Sequence, residues 1–353
     1  MVQVRLTVAA RFQIAKLGVE KRAFYEGTRL SVESRQCGPQ LRIVVVDHVF
    51  LDSKHVSRLK SLGEVEIFSN PPDSEVELKR RIRDAEIVIV GWSHLTEEII
   101  NSAPKLRMIA IWATTCHYAD MNAARKRGIV VTHVPGYATE AVAEHTFALL
   151  LASIRRIVPA DKHVREGKFD WRPFGGSELA GKTLGLIGTG AIGFRVGEIA
   201  KAFKMRLLGY DIIHNMNRAE EMGLKFVDLH TLLQESDVVS VHLTLTKETA
   251  GLIGKREIEM MKRGAVLVNT AQGKVVNESG LVMALESGHL AYAGLDVFAE
   301  EPIGTGNTLL KLQNTVLSPH IGFQTAEAVS RCTDFCIDNV EKFIDGHPEN
   351  LCP

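Results

Sequence analysis

The sequence lacks a surplus of charge of either sign, and it lacks a long apolar run. Its 42 basic residues are balanced by 42 acidic residues. Since nucleic-acid-binding proteins normally carry a basic surplus, this balance argues against a nucleic-acid partner. No apolar run approaches the roughly 18 residues of a transmembrane helix, so we expect no membrane partner. The 353 residues, 45% of them hydrophobic and 24% charged, instead predict an ordinary globular protein with about two domains.

The sequence is also poor in cysteine, and its five cysteines contain no Cys-x-x-Cys pair. They stand at positions 37, 116, 332, 336 and 352, a spacing that supports neither a zinc ribbon nor a disulfide framework. Cys332 and Cys336 lie one helical turn apart, which favours two reduced thiols on one helix. We therefore expect no metal site and a reducing, cytoplasmic compartment.

The first forty residues differ from the rest because they are basic and carry no acidic residue before Glu20. A transit peptide has a similar charge pattern, but the first half of this segment is not rich in serine. We favour an extension upstream of the first domain, with a targeting segment as the alternative. A secretory signal is disfavoured, because no compact apolar segment precedes a small-residue cleavage site.

From residue 41 onwards, apolar strand-like runs alternate with helical patterns. The first block has strands at 41–47, 65–68, 86–90 and 108–112, with helices at 53–62 and 75–83. The second block has strands at 183–187, 206–210, 238–242, 265–269, 291–295 and 315–318. Near-continuous β-branched runs are typical of parallel strands buried on both faces. The alternation predicts an α/β fold with two doubly wound domains.

Between the two blocks lies the longest predicted helix, residues 139–157. It is apolar almost all round after its first turn, which indicates a helix buried between domains or between subunits. The glycine- and proline-containing segment 165–180 is predicted to be a connecting loop.

A glycine-rich turn follows the strand at 183–187 and opens a helical pattern. It has the form Gly-x-Gly-x-x-Gly and consists of Gly188, Thr189, Gly190, Ala191, Ile192 and Gly193. In this context Gly188 permits the tight turn, Gly190 lets a pyrophosphate approach the backbone, and Gly193 allows close helix–strand packing. Asp211 ends the next strand, 18 positions after Gly193. A carboxylate there binds the ribose hydroxyls and repels a 2′-phosphate, so NAD is predicted over NADP.

Five ordered motifs make residues 41–345 resemble the D-isomer-specific 2-hydroxyacid dehydrogenases. They are Val134–His145, Gly188–Gly193, Val268–Gly273, Gly294–Pro302 and Leu317–Gly322. The resemblance implies an NAD-dependent oxidoreductase that transfers a hydride between nicotinamide C4 and a small 2-hydroxy or 2-keto acid. It also implies a Rossmann-like fold for both domains, with parallel sheets and the active site in the cleft between them.

The resemblance assigns roles to individual positions. His320 would be the catalytic acid–base residue and Glu301 its carboxylate partner, while Asp296 would hold the nicotinamide carboxamide. Further cofactor-lining positions are Val142, His242, Thr246, Thr270, Ala271 and Gly322. The substrate carboxylate would be bound by the backbone N–H groups of Thr114, Thr115, Cys116 and His117. Independently of the resemblance, His320 and Glu301 each follow a strand, and open α/β sheets bind ligands at the carboxyl ends of their strands.

The sequence departs from the family pattern at Gln272, where the family has an arginine that anchors the substrate carboxylate. Glutamine keeps a donor but loses the charge, which predicts roughly 10–100-fold weaker transition-state binding of a simple 2-keto acid. Smaller departures are Thr115 for glycine, Thr244 for proline and Asn277 for aspartate. Arg172 in the connecting loop could supply another cation, or could be a solvated loop residue. The pattern indicates a retained cofactor with an altered substrate or reduced activity.

Two other functions stay open. One is a catalytically weak or inactive NAD(H)-binding regulator, and the other is a dehydrogenase of a non-keto-acid substrate such as phosphite or formate. The domain organisation implied is a substrate domain of residues 41–138 plus 322–353 and an NAD-binding domain of residues 139–321. The apolar helix at 139–157 suggests a homodimer.

Overall fold

The computed structural model describes residues 41–353, and the interpretations of residues 1–40 lie outside the described residues. The first of two parallel sheets has the strand order β2-β1-β3-β4-β5. Its strands are β1 (Arg42–Val45), β2 (Glu64–Ile67), β3 (Ile87–Val90), β4 (Met108–Ile111) and β5 (Val130–Thr132). The central strands β3 and β4 are buried at every position, as predicted from their continuous apolar runs.

The second sheet has seven strands in the order β12-β11-β10-β9-β6-β7-β8, again all parallel. Its strands are β6 (Thr183–Ile187), β7 (Arg206–Tyr210), β8 (Leu224–Phe226), β9 (Val238–Val241), β10 (Ala265–Asn269), β11 (Leu290–Leu295) and β12 (Thr315–Leu317). The chain order reverses at β6, which lies between β7 and β9. Open α/β sheets bind ligands at such a point. The prediction of two doubly wound α/β domains is confirmed.

Helices connect the parallel strands and cover the sheets. They are α1 (Ser53–Leu62), α2 (Glu75–Ile82), α3 (Glu97–Asn101), α4 (Met121–Lys126), α5 (Thr139–Ile154), α6 (Ile157–Arg165), α7 (Ala191–Ala202), α8 (Met216–Met222), α9 (Leu229–Glu235), α10 (Lys255–Met260), α11 (Glu278–Glu286) and α12 (Ala326–Ile344). Helix α12 packs against β4 and α1, so the chain returns to the first sheet after completing the second. The domain boundaries given above stay a prediction. No helix within residues 41–353 is long and apolar enough to cross a membrane.

The prediction of one helix over residues 139–157 is wrong, because α5 ends at Ile154 and α6 begins at Ile157. Arg156 between them adopts a left-handed conformation, with φ of 53°. Pro159 gives the physical reason, since in a continuous helix its ring would clash with the carbonyl of Arg155. Helix α5 is nevertheless buried along most of its length, against α7 and the second sheet.

The expectation of no disulfide is also wrong, because Cys116 and Cys352 are bonded to each other. The last residues of the chain lie beside β5, where the Cys352 N–H donates to the carbonyl of Val131 at 2.9 Å. This tertiary contact brings together two cysteines that are 236 positions apart. Cys332 and Cys336 are free and buried on α12, as predicted.

Candidate active site

A cleft of about 380 Å³ lies at the carboxyl ends of strands from both sheets. The loops that follow β3 and β4 line one side, and those that follow β9, β10, β11 and β12 line the other. The cleft brings together thirteen of the residues predicted from the sequence. They are Thr114, Thr115, His117, Val142, Ile192, His242, Thr270, Ala271, Gln272, Asp296, Glu301, His320 and Gly322.

The rest of the glycine-rich turn and Asp211 lie outside this lining, and so do three further predicted residues, Cys116, Thr246 and Arg172. Cys116 is bonded to Cys352 instead. Thr246 is exposed, and its hydroxyl lies 3.3 Å from that of Thr249. Arg172 is exposed and pairs with Asp170 at 2.9 Å, as expected of a solvated loop residue. The cleft therefore gains no cation from the connecting loop.

His320 and Glu301 form a hydrogen-bonded pair, with 2.7 Å between His320 Nδ1 and Glu301 Oε2. The other Glu301 oxygen, Oε1, accepts the backbone N–H of Phe298 at 3.0 Å, which fixes the carboxylate. Because Nδ1 faces a carboxylate, Nε2 is the imidazole nitrogen left for a ligand. An imidazole held in this way has a defined orientation and can exchange a proton with a substrate oxygen.

The backbone at His320 is in the left-handed region, with φ of 54°, which is uncommon for a residue with a side chain. Its N–H donates to the carbonyl of Asp296 at 2.9 Å. The Asp296 carboxylate in turn accepts the N–H groups of Ile321 at 2.9 Å and Gly322 at 2.7 Å. Strained backbone persists where the surroundings enforce it, and such positions cluster at functional sites.

Asp296 is almost completely buried at the end of β11. Besides the two backbone groups, its Oδ1 accepts the Ser318 hydroxyl at 2.6 Å and lies 3.2 Å from His145 Nε2. Burial acts to raise the pKa of Asp296, but the hydrogen bonds from His145, Ser318 and the backbone outweigh it and hold this pKa below its usual value. The carboxylate therefore stays ionised and anchors the loop that carries His320.

The glycine-rich turn has the geometry that a dinucleotide requires. Gly188 has φ of 96°, and a Cβ added to Gly193 would lie 2.1 Å from the Gly188 carbonyl oxygen, so both positions need glycine. A Cβ on Gly190 would meet nothing within 4 Å, so this side of the turn is open. Helix α7 begins here without a side-chain cap, and its first N–H groups can receive a phosphate.

Asp211 lies beside this turn because β6 and β7 are neighbours. Its Oδ2 accepts both the backbone N–H of Thr189 at 2.6 Å and the Thr189 hydroxyl at 3.2 Å. A negative charge next to the turn disfavours a further phosphate at that point.

His242 shows that a polar ligand group fits the cleft. Burial lowers the pKa of His242 to about 3, so its imidazole is neutral. Nε2 is 2.9 Å from the Ser240 hydroxyl, but Nδ1 is buried and has no hydrogen-bond partner among the described residues. Buried polar atoms are normally paired, so this nitrogen marks a place for a ligand's polar group. Together with the open turn, it fits a bound dinucleotide.

Comparisons with known proteins agree with this geometry. A sequence model described as D-isomer specific 2-hydroxyacid dehydrogenase, NAD binding domain, matches residues 147–322. The glyoxylate reductase of Korarchaeum cryptofilum is 41% identical over 312 residues, which cover 85% of this chain and 93% of the relative. The D-3-phosphoglycerate dehydrogenase of Archaeoglobus fulgidus is 42% identical over 82% of this chain, which spans 54% of that relative. The structure of an acyclic imino acid reductase in complex with NADPH and D-Arg matches this one with a TM-score of 0.82 at 32% sequence identity. The match covers 89% of this chain and 100% of the reductase chain.

The chain belongs to the D-isomer-specific 2-hydroxyacid dehydrogenases. It is an oxidoreductase of that type, and it contains the NAD-binding domain of the family. The predicted family and the predicted cofactor, NAD, are thereby confirmed.

This 2-hydroxyacid dehydrogenase also has cleft residues to which the sequence analysis gave no role. They are Gly91, Trp92, Trp112, Ala113, Tyr118, Tyr137, Ala138, Leu243, Thr244 and Phe323. Phe323 stands three positions after His320, Tyr118 directly follows His117, and Tyr137 lies within the motif Val134–His145. Trp92 and Tyr118 come from separate loops of the first domain, and only the fold brings them to His320.

Proposed function

We propose that this dehydrogenase interconverts a small 2-hydroxy acid and its 2-keto acid, with His320 as the acid–base residue. The hydrogen-bonded pair of His320 and Glu301 in the cleft carries the proposal. Bound NADH supplies the hydride for reduction. In that direction His320 gives the proton on Nε2 to the substrate carbonyl oxygen, and Glu301 stabilises the charged imidazole beforehand. In the oxidation direction, the same nitrogen takes the proton of the hydroxyl group.

The loop after β4 is the proposed binding site for the substrate carboxylate. Among the described residues, no acceptor pairs with the backbone N–H groups of Thr114, Thr115, Cys116 or His117. Backbone N–H groups that face a cleft can bind a carboxylate without a cation. Gln272 lies on the other wall, and its side-chain amide can donate to the same carboxylate or to the carbonyl oxygen.

Asp296 has a positioning role in this proposal. Its carboxylate oxygens are occupied largely by protein donors, and these donors belong to the segment that carries His320. Oδ2 accepts one hydrogen bond, from Gly322, and so has room for one more donor, such as the nicotinamide carboxamide.

The proposal is tested by thermal shift with NADH and NADPH, followed by NADH absorbance against a panel of 2-keto acids that includes glyoxylate and hydroxypyruvate. We expect NADH to stabilise the protein more than NADPH, because Asp211 repels a 2′-phosphate. Turnover of at least one 2-keto acid is expected. If no acid in a broad panel is reduced while NADH binds, the proposal is wrong.

Replacing Gln272 by arginine is expected to raise kcat/KM for glyoxylate. A charge-assisted hydrogen bond contributes about 1.5–3 kcal/mol, which corresponds to roughly 10–100-fold. Gln313→Arg adds the same charge at an exposed position outside the cleft and serves as the control. An equal response of both variants, or none, would show that the missing charge at position 272 does not limit this reaction.

One observation favours a second function, an NAD(H)-binding regulator with weak chemistry. Among the described residues that line the cleft there is no lysine and no arginine, whereas Asp296 and Glu301 are acidic. Such a lining binds small anions poorly. Stabilisation by NADH without turnover of any keto acid, phosphite or formate would favour the regulator. Turnover of phosphite or formate alone would instead identify a dehydrogenase of such a substrate.

We also propose that the protein is a homodimer. Helix α6 and the loop after it expose an apolar patch that comprises Ile157, Val158, Val164, Phe169 and Trp171, which are 54–96% exposed. Apolar patches of this kind mark protein interfaces. The buried helix α5 lies next to this patch and suggests that the partner is a second copy of the chain. Val158→Asp is expected to shift sedimentation from dimer to monomer, with Val76→Asp, on the exposed face of α2, as the control. A wild-type protein that sediments as a monomer would refute this assignment.

A further inference from the structure

Trp92 is a large aromatic side chain that is 46% exposed and nevertheless held in place. Its indole N–H donates to the carbonyl of His48 at 3.0 Å. The backbone around it is fixed by the buried Asp47, whose carboxylate accepts the N–H groups of Gly91 at 2.8 Å, Trp92 at 3.0 Å and Ser93 at 2.6 Å. A rigid indole with an open face at the rim of a cleft is a preorganised surface for an apolar group.

Phe323 extends this surface towards His320. The rings of Trp92 and Phe323 are 6.2 Å apart, and the rings of Phe323 and His320 are 6.4 Å apart in an edge-on arrangement. Tyr118 lines the same cleft and stacks on His117 at 4.3 Å. We refer to Trp92, Tyr118 and Phe323 as the aromatic wall. The aromatic wall lines the same cleft as His320.

The charges in the cleft also favour a substrate with an uncharged side chain. Its described lining contains the carboxylates of Asp296 and Glu301 but no lysine or arginine. The pKa of His117 is lowered by burial and by the neighbouring His94, so this imidazole does not replace the missing cation at neutral pH. A phosphate or a second carboxylate on the substrate would therefore enter a cleft without a compensating charge, at a considerable cost.

We infer that the substrate is a 2-keto acid, or the matching 2-hydroxy acid, with an aromatic or branched apolar side chain, and that Trp92 and Phe323 determine this specificity. The inference rests on the proposed function and adds the class of side chain. The carboxylate is bound by neutral donors at residues 114–117 and by Gln272, while the apolar group contacts the aromatic wall.

The test is to measure kcat and KM with NADH for phenylpyruvate, glyoxylate and 3-phosphohydroxypyruvate. We expect kcat/KM for phenylpyruvate to exceed that for glyoxylate by about tenfold or more, and that for the phosphorylated acid by on the order of 100-fold. Trp92→Ala and Phe323→Ala should each lower kcat/KM for phenylpyruvate by about tenfold, chiefly through KM, because they remove contacts made before the chemical step. The loss for glyoxylate should be smaller than the loss for phenylpyruvate, since glyoxylate has no side chain to reach the wall.

Two further variants guard against a structural explanation. Trp92→Phe keeps an aromatic surface and should retain most of the preference, whereas Phe335→Ala removes an exposed ring on α12 outside the cleft and should change nothing. Thermal unfolding checks that each variant is folded. If glyoxylate is the better substrate, or if Trp92→Ala lowers kcat/KM for both acids equally, the inference is wrong while the proposed function stands. If no 2-keto acid is reduced at all, the proposed function itself fails.

Discussion

Replacing His320 by glutamine is expected to lower kcat for 2-keto acid reduction by about 10²–10⁴-fold, the usual contribution of a positioned general acid. Glutamine can still form hydrogen bonds, but it has no proton to give at the position of Nε2. NADH binding should change little, because the three glycines of the turn and Asp211 lie outside the cleft lining that contains His320. Steady-state kinetics and a thermal-shift titration with NADH measure the two effects separately.

His347→Gln is the matched control, since His347 is exposed after α12 and does not line the cleft. Glu301→Gln should cause a smaller loss, about 10–100-fold, because the amide can still orient the imidazole but does not offset its charge. A His320→Gln enzyme that keeps kcat within about fivefold of the wild type would show that another group moves the proton.

The parts of the fold that the sequence predicts best are those with a single strong local signal. Strands β3 and β4 are continuous apolar runs, and β9 and β10 are apolar apart from Ser240 and Asn269. Such runs are typical of strands that are buried on both faces. Strands β5 and β8 were not predicted. They have three residues each and lie at sheet edges, where one neighbouring strand suffices. A three-residue run shows no period that distinguishes it from a loop.

Among the site residues too, those with a local signal in the sequence were predicted and those without one were missed. The glycine-rich turn, Glu301 and His320 were predicted because each follows a strand within a motif, and Asp211 because of its spacing from the turn. The aromatic wall was missed, because Trp92 and Tyr118 follow different strands of the first sheet and line the same cleft as Phe323 only in the folded chain. His145 was missed for a related reason: it lies on the buried helix α5 and reaches Asp296, 151 positions later. Long-range side-chain pairs of this kind leave no periodic pattern in the sequence.

The disulfide is the largest feature that the sequence analysis excluded, and it leads to a strong expectation. Reduction, or Cys352→Ser, should lower the free energy of unfolding by about 2–5 kcal/mol, the usual effect of losing a native disulfide. The bond joins the loop that carries Thr115 and His117 to the end of the chain. That end pairs with β5, since the Asn350 carbonyl accepts the His133 N–H at 3.0 Å, so its release also uncovers a sheet edge. Thermal unfolding with and without dithiothreitol measures the effect.

The pairing itself can be checked chemically and by a double-mutant cycle. Because the bonded pair is blocked, thiol titration in denaturant should find two more thiols after reduction than before it. Cys116→Ser and Cys352→Ser should each be destabilising, and the double variant should be no less stable than either, because both changes remove the same bond. Dithiothreitol should then have no effect on the variants. Five titratable thiols in the wild-type protein before reduction, together with an unfolding temperature that reductant leaves unchanged, would show that this bond does not form in solution. The loop after β4 would in that case be held to the end of the chain by packing and hydrogen bonds alone.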